Sequence, residues 1–110
     1  MKHFYGANQK YFVNELVEFL KNEEKAGYVE NVESYEVTAF EGTPKEKVIP
    51  IVKAKITKGK RVKFNVFFKG FIITGKTISY SHNLLHIDQQ AIFLNELDFT
   101  KDELSIEVAY

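Results

Sequence analysis

Phe12, Val13, Leu16, Val17, Phe19 and Leu20 recur every three or four positions, while Lys10, Asn14, Glu15, Glu18, Lys21 and Asn22 fall mainly on other faces. That is the period of an amphipathic helix, and its broad apolar stripe asks to be buried. Asn8 is placed to cap the start, Gly27 to end it in a left-handed turn, and Lys25 to complement the C-terminal end of the helix dipole. The spacing predicts a helix over about residues 9 to 26. Residues 28 to 33 read as a connector. The period then shortens to two: Tyr35, Val37 and Ala39 alternate with Glu36, Thr38 and Phe40, the mark of a half-buried strand, before a Gly42-Thr43-Pro44 loop.

The middle of the chain carries the strongest strand pattern. Val52, Ala54 and Ile56 point one way and Ile51, Lys53, Lys55 and Thr57 the other; beyond Gly59, Val62, Phe64, Val66 and Phe68 share a face opposite Lys63, Asn65, Phe67 and Lys69. If the two arms form a hairpin, their apolar sets lie together only when even-numbered residues pair, 56 with 62 and 54 with 64, across an odd-length loop. Lys55 then stands opposite Lys63, and Ile51 opposite Phe67. Pro50 cannot donate to a ladder, which puts its part of the strand at an edge, a bulge or its beginning.

Residues 76 to 80 read as a fourth strand after a reversal at Gly70 or Thr74-Gly75, and 81 to 85 as a loop. Asp88 is placed to cap a short second helix through Ala91, Ile92, Phe93, Leu94 and Leu97. Leu104, Ile106, Val108 and Tyr110 alternate with polar or small residues as a final strand. Thr100 and Glu103 before it have the form of a capping box. The elements predict one α+β domain over residues 1–110. Its long N-terminal helix packs on an antiparallel meander of four to five strands, with the short helix near the C-terminus. A small OB-like barrel is the alternative.

Composition leaves that picture standing. With 45% hydrophobic and 27% charged residues, ten Phe and six Tyr in 110 residues, the chain can bury a core and is not disordered. Without cysteine there is no disulfide and no thiolate chemistry. No apolar run approaches the ~20 residues of a membrane span and the opening residues lack an apolar signal segment, so the expected location is cytoplasmic, away from membranes. The helix's acid-rich polar face also argues against lipid.

Charge changes the picture more. The formal net charge is zero, yet residues 47 to 87 hold eight Lys, one Arg and no acid, flanked by acid-rich segments. On the hairpin reading, Lys53, Lys55, Arg61, Lys63 and Lys69 project from one face around Phe67. Such a face can hold phosphates while the ring stacks an unpaired base, so the expected partner is single-stranded nucleic acid. The alternative is a protein-interaction module, an adaptor or inhibitor, in which that face docks an acidic protein surface or the acidic flanks dock a basic one. Solvation and protection of a strand is the plain explanation for the same lysines. Strand addition at an open sheet edge would give a homodimer.

Catalytic signatures are missing: there is no Gly-x-Gly-x-x-Gly, Walker A or Gly-x-Ser-x-Gly pattern, which leaves a small enzyme without a recognisable motif as a third reading. His82, His86 and Asp88 are close in sequence but lack a His-Glu-x-x-His context. Asp98, Asp102 and Glu103 are explained by turn and cap chemistry. The expectation is a binding module with no cofactor.

Overall fold

The computed structural model describes residues 1–94 and 99–110. Its single helix among these, α1 (Gln9–Lys25), follows a short strand β1 (Lys2–His3). Asn8 Oδ1 accepts from Tyr11 N at 2.8 Å, filling one of the orphan donors of the first turn, and Gly27 takes φ +87° after the last. Eight further strands follow: β2 (Val29–Ala39), β3 (Lys47–Ile56), β4 (Lys63–Phe68), β5 (Phe71–Gly75), β6 (Thr77–Ser81), β7 (Leu84–Ile87), β8 (Gln90–Phe93) and β9 (Leu104–Ala109). They form two antiparallel sheets, a four-stranded one in the order β1-β9-β4-β5 and a five-stranded one in the order β2-β3-β6-β7-β8. The class is α+β, but the single meander expected from the sequence is replaced by two sheets.

The central hairpin does not form. β3 pairs with β2 and β6, whereas β4 pairs with β5 and β9, so residues 57–62 carry the chain from one sheet to the other. The parity argument holds for burial alone. Val52, Ala54 and Ile56 of β3, and Val62, Phe64 and Val66 in and before β4, are all buried in one core with Phe4, Phe12, Leu16 and Tyr80. Alternation fixes which face of a strand is greasy; it does not fix which strand lies alongside. A six-residue connection is long enough to arch across the core, and both apolar faces are satisfied that way.

The second helix is also absent from the residues described. Gln90–Phe93 is strand β8, paired with β7, with Ile92 and Leu94 buried and Ala91 and Phe93 exposed; Leu97 lies outside the described residues. Asp88, read as a helix cap, opens the turn between β7 and β8 instead, at φ +54°. A short carboxylate suits both roles, since it can bond to nearby backbone N–H groups and tolerates the left-handed region. The Thr100–Glu103 pair likewise makes reciprocal bonds, Thr100 N to Glu103 Oε2 at 2.6 Å and Glu103 N to Thr100 O at 3.1 Å, but closes a turn before β9. Two tight reversals, Lys69-Gly70 and His82-Asn83, hold both central residues at positive φ, the type I′ geometry that matches strand twist.

α1 lies against β2 and β3, and Phe12 packs on Tyr80 with ring centroids 5.0 Å apart. The Tyr80 hydroxyl donates to Gln9 Oε1 at 3.1 Å, tying the start of the helix to β6. A Lys2–Glu15 ion pair links β1 to the helix and raises the Lys2 ammonium pKa, chiefly through that hydrogen bond. Among the described residues, no helix is long and apolar enough to cross a membrane.

Candidate interaction surface

The six residues expected to form one basic face stand on two sheets. Lys53 and Lys55 lie on the outer face of the five-stranded sheet; Lys63 and Phe67 lie on the outer face of the four-stranded one. Arg61 is exposed in the connection between the sheets, and Lys69 sits in the β4–β5 turn with Nζ 5.2 Å from the Phe68 ring centroid. The structure therefore brings Lys53 together with Lys55, and Lys63 to the same strand face as Phe67, and keeps the two groups apart.

Carboxylates accompany the first group. The β2–β3 register sets Glu33 opposite Lys53 and Glu30 opposite Lys55. Opposite charges at facing positions of a strand pair favour a sheet by about 0.2–1 kcal/mol where they meet, although among the described residues the ion pair that forms is Lys2–Glu15 and not one of these. Glu30 is also held by the crossover, its Oε1 accepting from Lys58 N at 2.9 Å. Around Phe67 the outer face is partly closed. Ser105 and Ile72 flank the ring, and Asn65, one position along the same face, is buried between Glu107 and Thr74. The ring is half-buried between neighbouring strands.

A different surface stands out. β6 pairs only with Ile51–Lys55 of β3, so Glu36–Ala39 and Lys47–Pro50 pair with each other alone. They form a two-stranded arm beyond the rest of the sheet. Pro50 is tolerated there because it has a strand neighbour on one side only. The tip is ordered by its own bonds: Gly42 N to Glu46 Oε2 at 2.8 Å, Thr43 Oγ1 to Phe40 O at 2.6 Å and Lys45 N to Thr43 Oγ1 at 3.2 Å. With no layer among the described residues covering it, the arm leaves apolar side chains in water on both faces, Tyr35 and Val37 on one and Val48 on the other, with Phe40, 62% exposed, at the tip. The half-buried strand expected at residues 35–40 is thus a largely exposed one. A cleft of about 550 Å³ runs between the arm and the start of α1, lined by Gln9, Val13 and Asn14 on one side and Glu36, Val48 and Pro50 on the other.

β2 is an edge strand, and its only charged residues are Glu30, Glu33 and Glu36. The sequence carried a signal of the arm that periodicity reading passes over: from Val48 to Val52 every residue is apolar, so neither parity supplies a polar face. Elsewhere, His82 lies in a turn and His86 on β7, and Asp88 Oδ1 accepts from Lys76 N, Thr77 N and Thr77 Oγ1 at 3.0–3.1 Å. No group of three or more His, Asp or Glu among the described residues is placed to hold a metal ion. Asp98 lies outside the described residues. No protein-family model, curated protein or solved structure matches the chain.

Proposed function

We propose that the chain is a non-catalytic protein-interaction module that receives an extended, basic segment of another protein along β2 and its projecting arm. The observation that carries this is the arm itself: an ordered strand pair with apolar side chains exposed on both faces and an outer edge charged only by glutamates. An incoming strand would gain main-chain hydrogen bonds from the open edge, apolar contacts from Tyr35 and Val37 on one face, and charge pairing with Glu33 and Glu36 on alternate faces. The expected nucleic-acid platform has less behind it, because Lys53 and Lys55 stand on a different sheet from Lys63 and Phe67 and lie opposite glutamates in the β2–β3 register.

The test is a binding titration with three labelled probes: a strand-forming peptide alternating Lys and Val, its Glu-for-Lys counterpart, and a single-stranded oligonucleotide. The basic peptide binds, weakens as salt rises, and loses most of its affinity to the Glu33→Lys, Glu36→Lys double variant. Failure of the basic peptide to bind, or binding that ignores the charge reversal, would refute the reading. Oligonucleotide binding that disappears in Lys63→Glu while the peptide stays free would return the nucleic-acid reading in its place.

A further inference from the structure

Among the described residues β5 is the other open edge, and it is bare in a way the remaining edges are not. β1 is two residues long and β8 four, and β2 carries three glutamates and a register shift between Glu30 and Glu33. These are the usual means of keeping a sheet edge from pairing with a second copy. Phe71-Ile72-Ile73-Thr74-Gly75 has no charge, no proline and no bulge against β4, and Phe71 and Ile72 are 72% and 64% exposed.

We infer that two copies of this chain associate through antiparallel pairing of β5 with β5 about Ile73. The two-residue Lys69-Gly70 turn makes Phe68 and Phe71 a hydrogen-bonded pair, so by the alternation of an antiparallel ladder Ile72 and Thr74 turn their N–H and C=O groups away from β4. A two-fold axis at Ile73 sets Ile72 of each copy opposite Thr74 of the other, which uses all four outward groups on each strand. The same register places two β-branched residues opposite each other at 72 and 74, Ile73 against itself and Phe71 against Gly75. It opposes no like charges within the strand. The equivalent self-pairing of β2 centred on Glu36 would set Glu36 against Glu36. β5, which has no charged side chain in any register, is therefore the edge better suited to a second copy. This association is independent of the arm and of what binds there.

Two measurements test it. Sedimentation of the full chain gives a species of twice 12.8 kDa that dissociates on dilution. Ile72→Lys, an exposed change that leaves the core alone, weakens the association at least about tenfold. Because the chain has no cysteine, Ile73→Cys supplies a single thiol. Its two copies would sit at a non-hydrogen-bonded pair about 4.5 Å apart at Cα, within disulfide range. Mild oxidation then cross-links Ile73→Cys much faster than a Thr38→Cys control on the arm. A wild-type chain that stays monomeric at every concentration, an Ile72→Lys variant that associates as well as wild type, or cross-linking no faster at 73 than at 38 overturns the proposal.

Discussion

Alanine at position 75 would place a methyl carbon 2.5 Å from Asp88 Oδ2, 2.7 Å from Asp88 Cγ and 2.8 Å from Ile87 Cγ2. Gly75 ends β5, and after Lys76 the chain enters β6 in the other sheet, so this corner sets how the two sheets meet. The carboxylate cannot simply swing aside, because its Oδ1 holds Lys76 N, Thr77 N and Thr77 Oγ1 while Asp88 N bonds to Thr77 O at 3.1 Å. Overpacking costs about 1–3 kcal/mol, and loosening three solvent-exposed hydrogen bonds adds roughly 1–2 kcal/mol, toward the low end because water replaces part of each. Gly75→Ala is therefore expected to destabilise by about 3 kcal/mol. Asp88→Gly removes the carboxylate without straining a residue at positive φ and should cost about 1–2 kcal/mol. In that background the two closest contacts to the new methyl are gone, so the two changes together cost less than their sum by about 1–2 kcal/mol. Urea denaturation of the two single variants and the double variant measures this directly. Additivity within about 0.5 kcal/mol would show that the carboxylate does not hold the corner.

Two further outcomes follow from the turns and the helix end. Lys69 occupies φ +48° ahead of Gly70 in a type I′ turn that favours Asn-Gly, so Lys69→Asn should stabilise the fold by about 0.5 kcal/mol, after loss of the Phe68 contact, as read from thermal unfolding. Partial burial raises the Glu23 carboxyl above its ordinary 4.5, with the N-terminal ammonium opposing. The folded chain thus holds this proton more tightly than the unfolded one, and the associated stability, complete below the unfolded pKa, is lost as pH rises through the folded value. Glu23→Gln, uncharged throughout and near the negative end of α1, should gain up to about 0.5 kcal/mol near pH 7, a small figure because the side chain is still partly in water, and nothing near pH 3. Urea midpoints at the two pH values check it, and an equal gain at both would refute the assignment to burial.

The alternation along the chain determined which side chains of the central strands go inward. Val52, Ala54, Ile56, Phe64 and Val66 are buried because a strand with one apolar parity has one face to hide, wherever it lies. Tertiary structure alone decided which strand lies beside which. Two strands with matching greasy faces can lie side by side in one sheet beneath a covering layer or belong to two sheets around one core, and either arrangement hides those faces. Here the two strands went to different sheets around one core, which sent Lys53 and Lys55 to one sheet and Lys63 and Phe67 to the other and divided the basic face that the sequence suggested. Exposure at Tyr35, Phe40, Phe71 and Ile72 was hidden from the sequence for the same reason. An apolar residue is exposed only when no other element covers it, and coverage belongs to the packing of the whole chain.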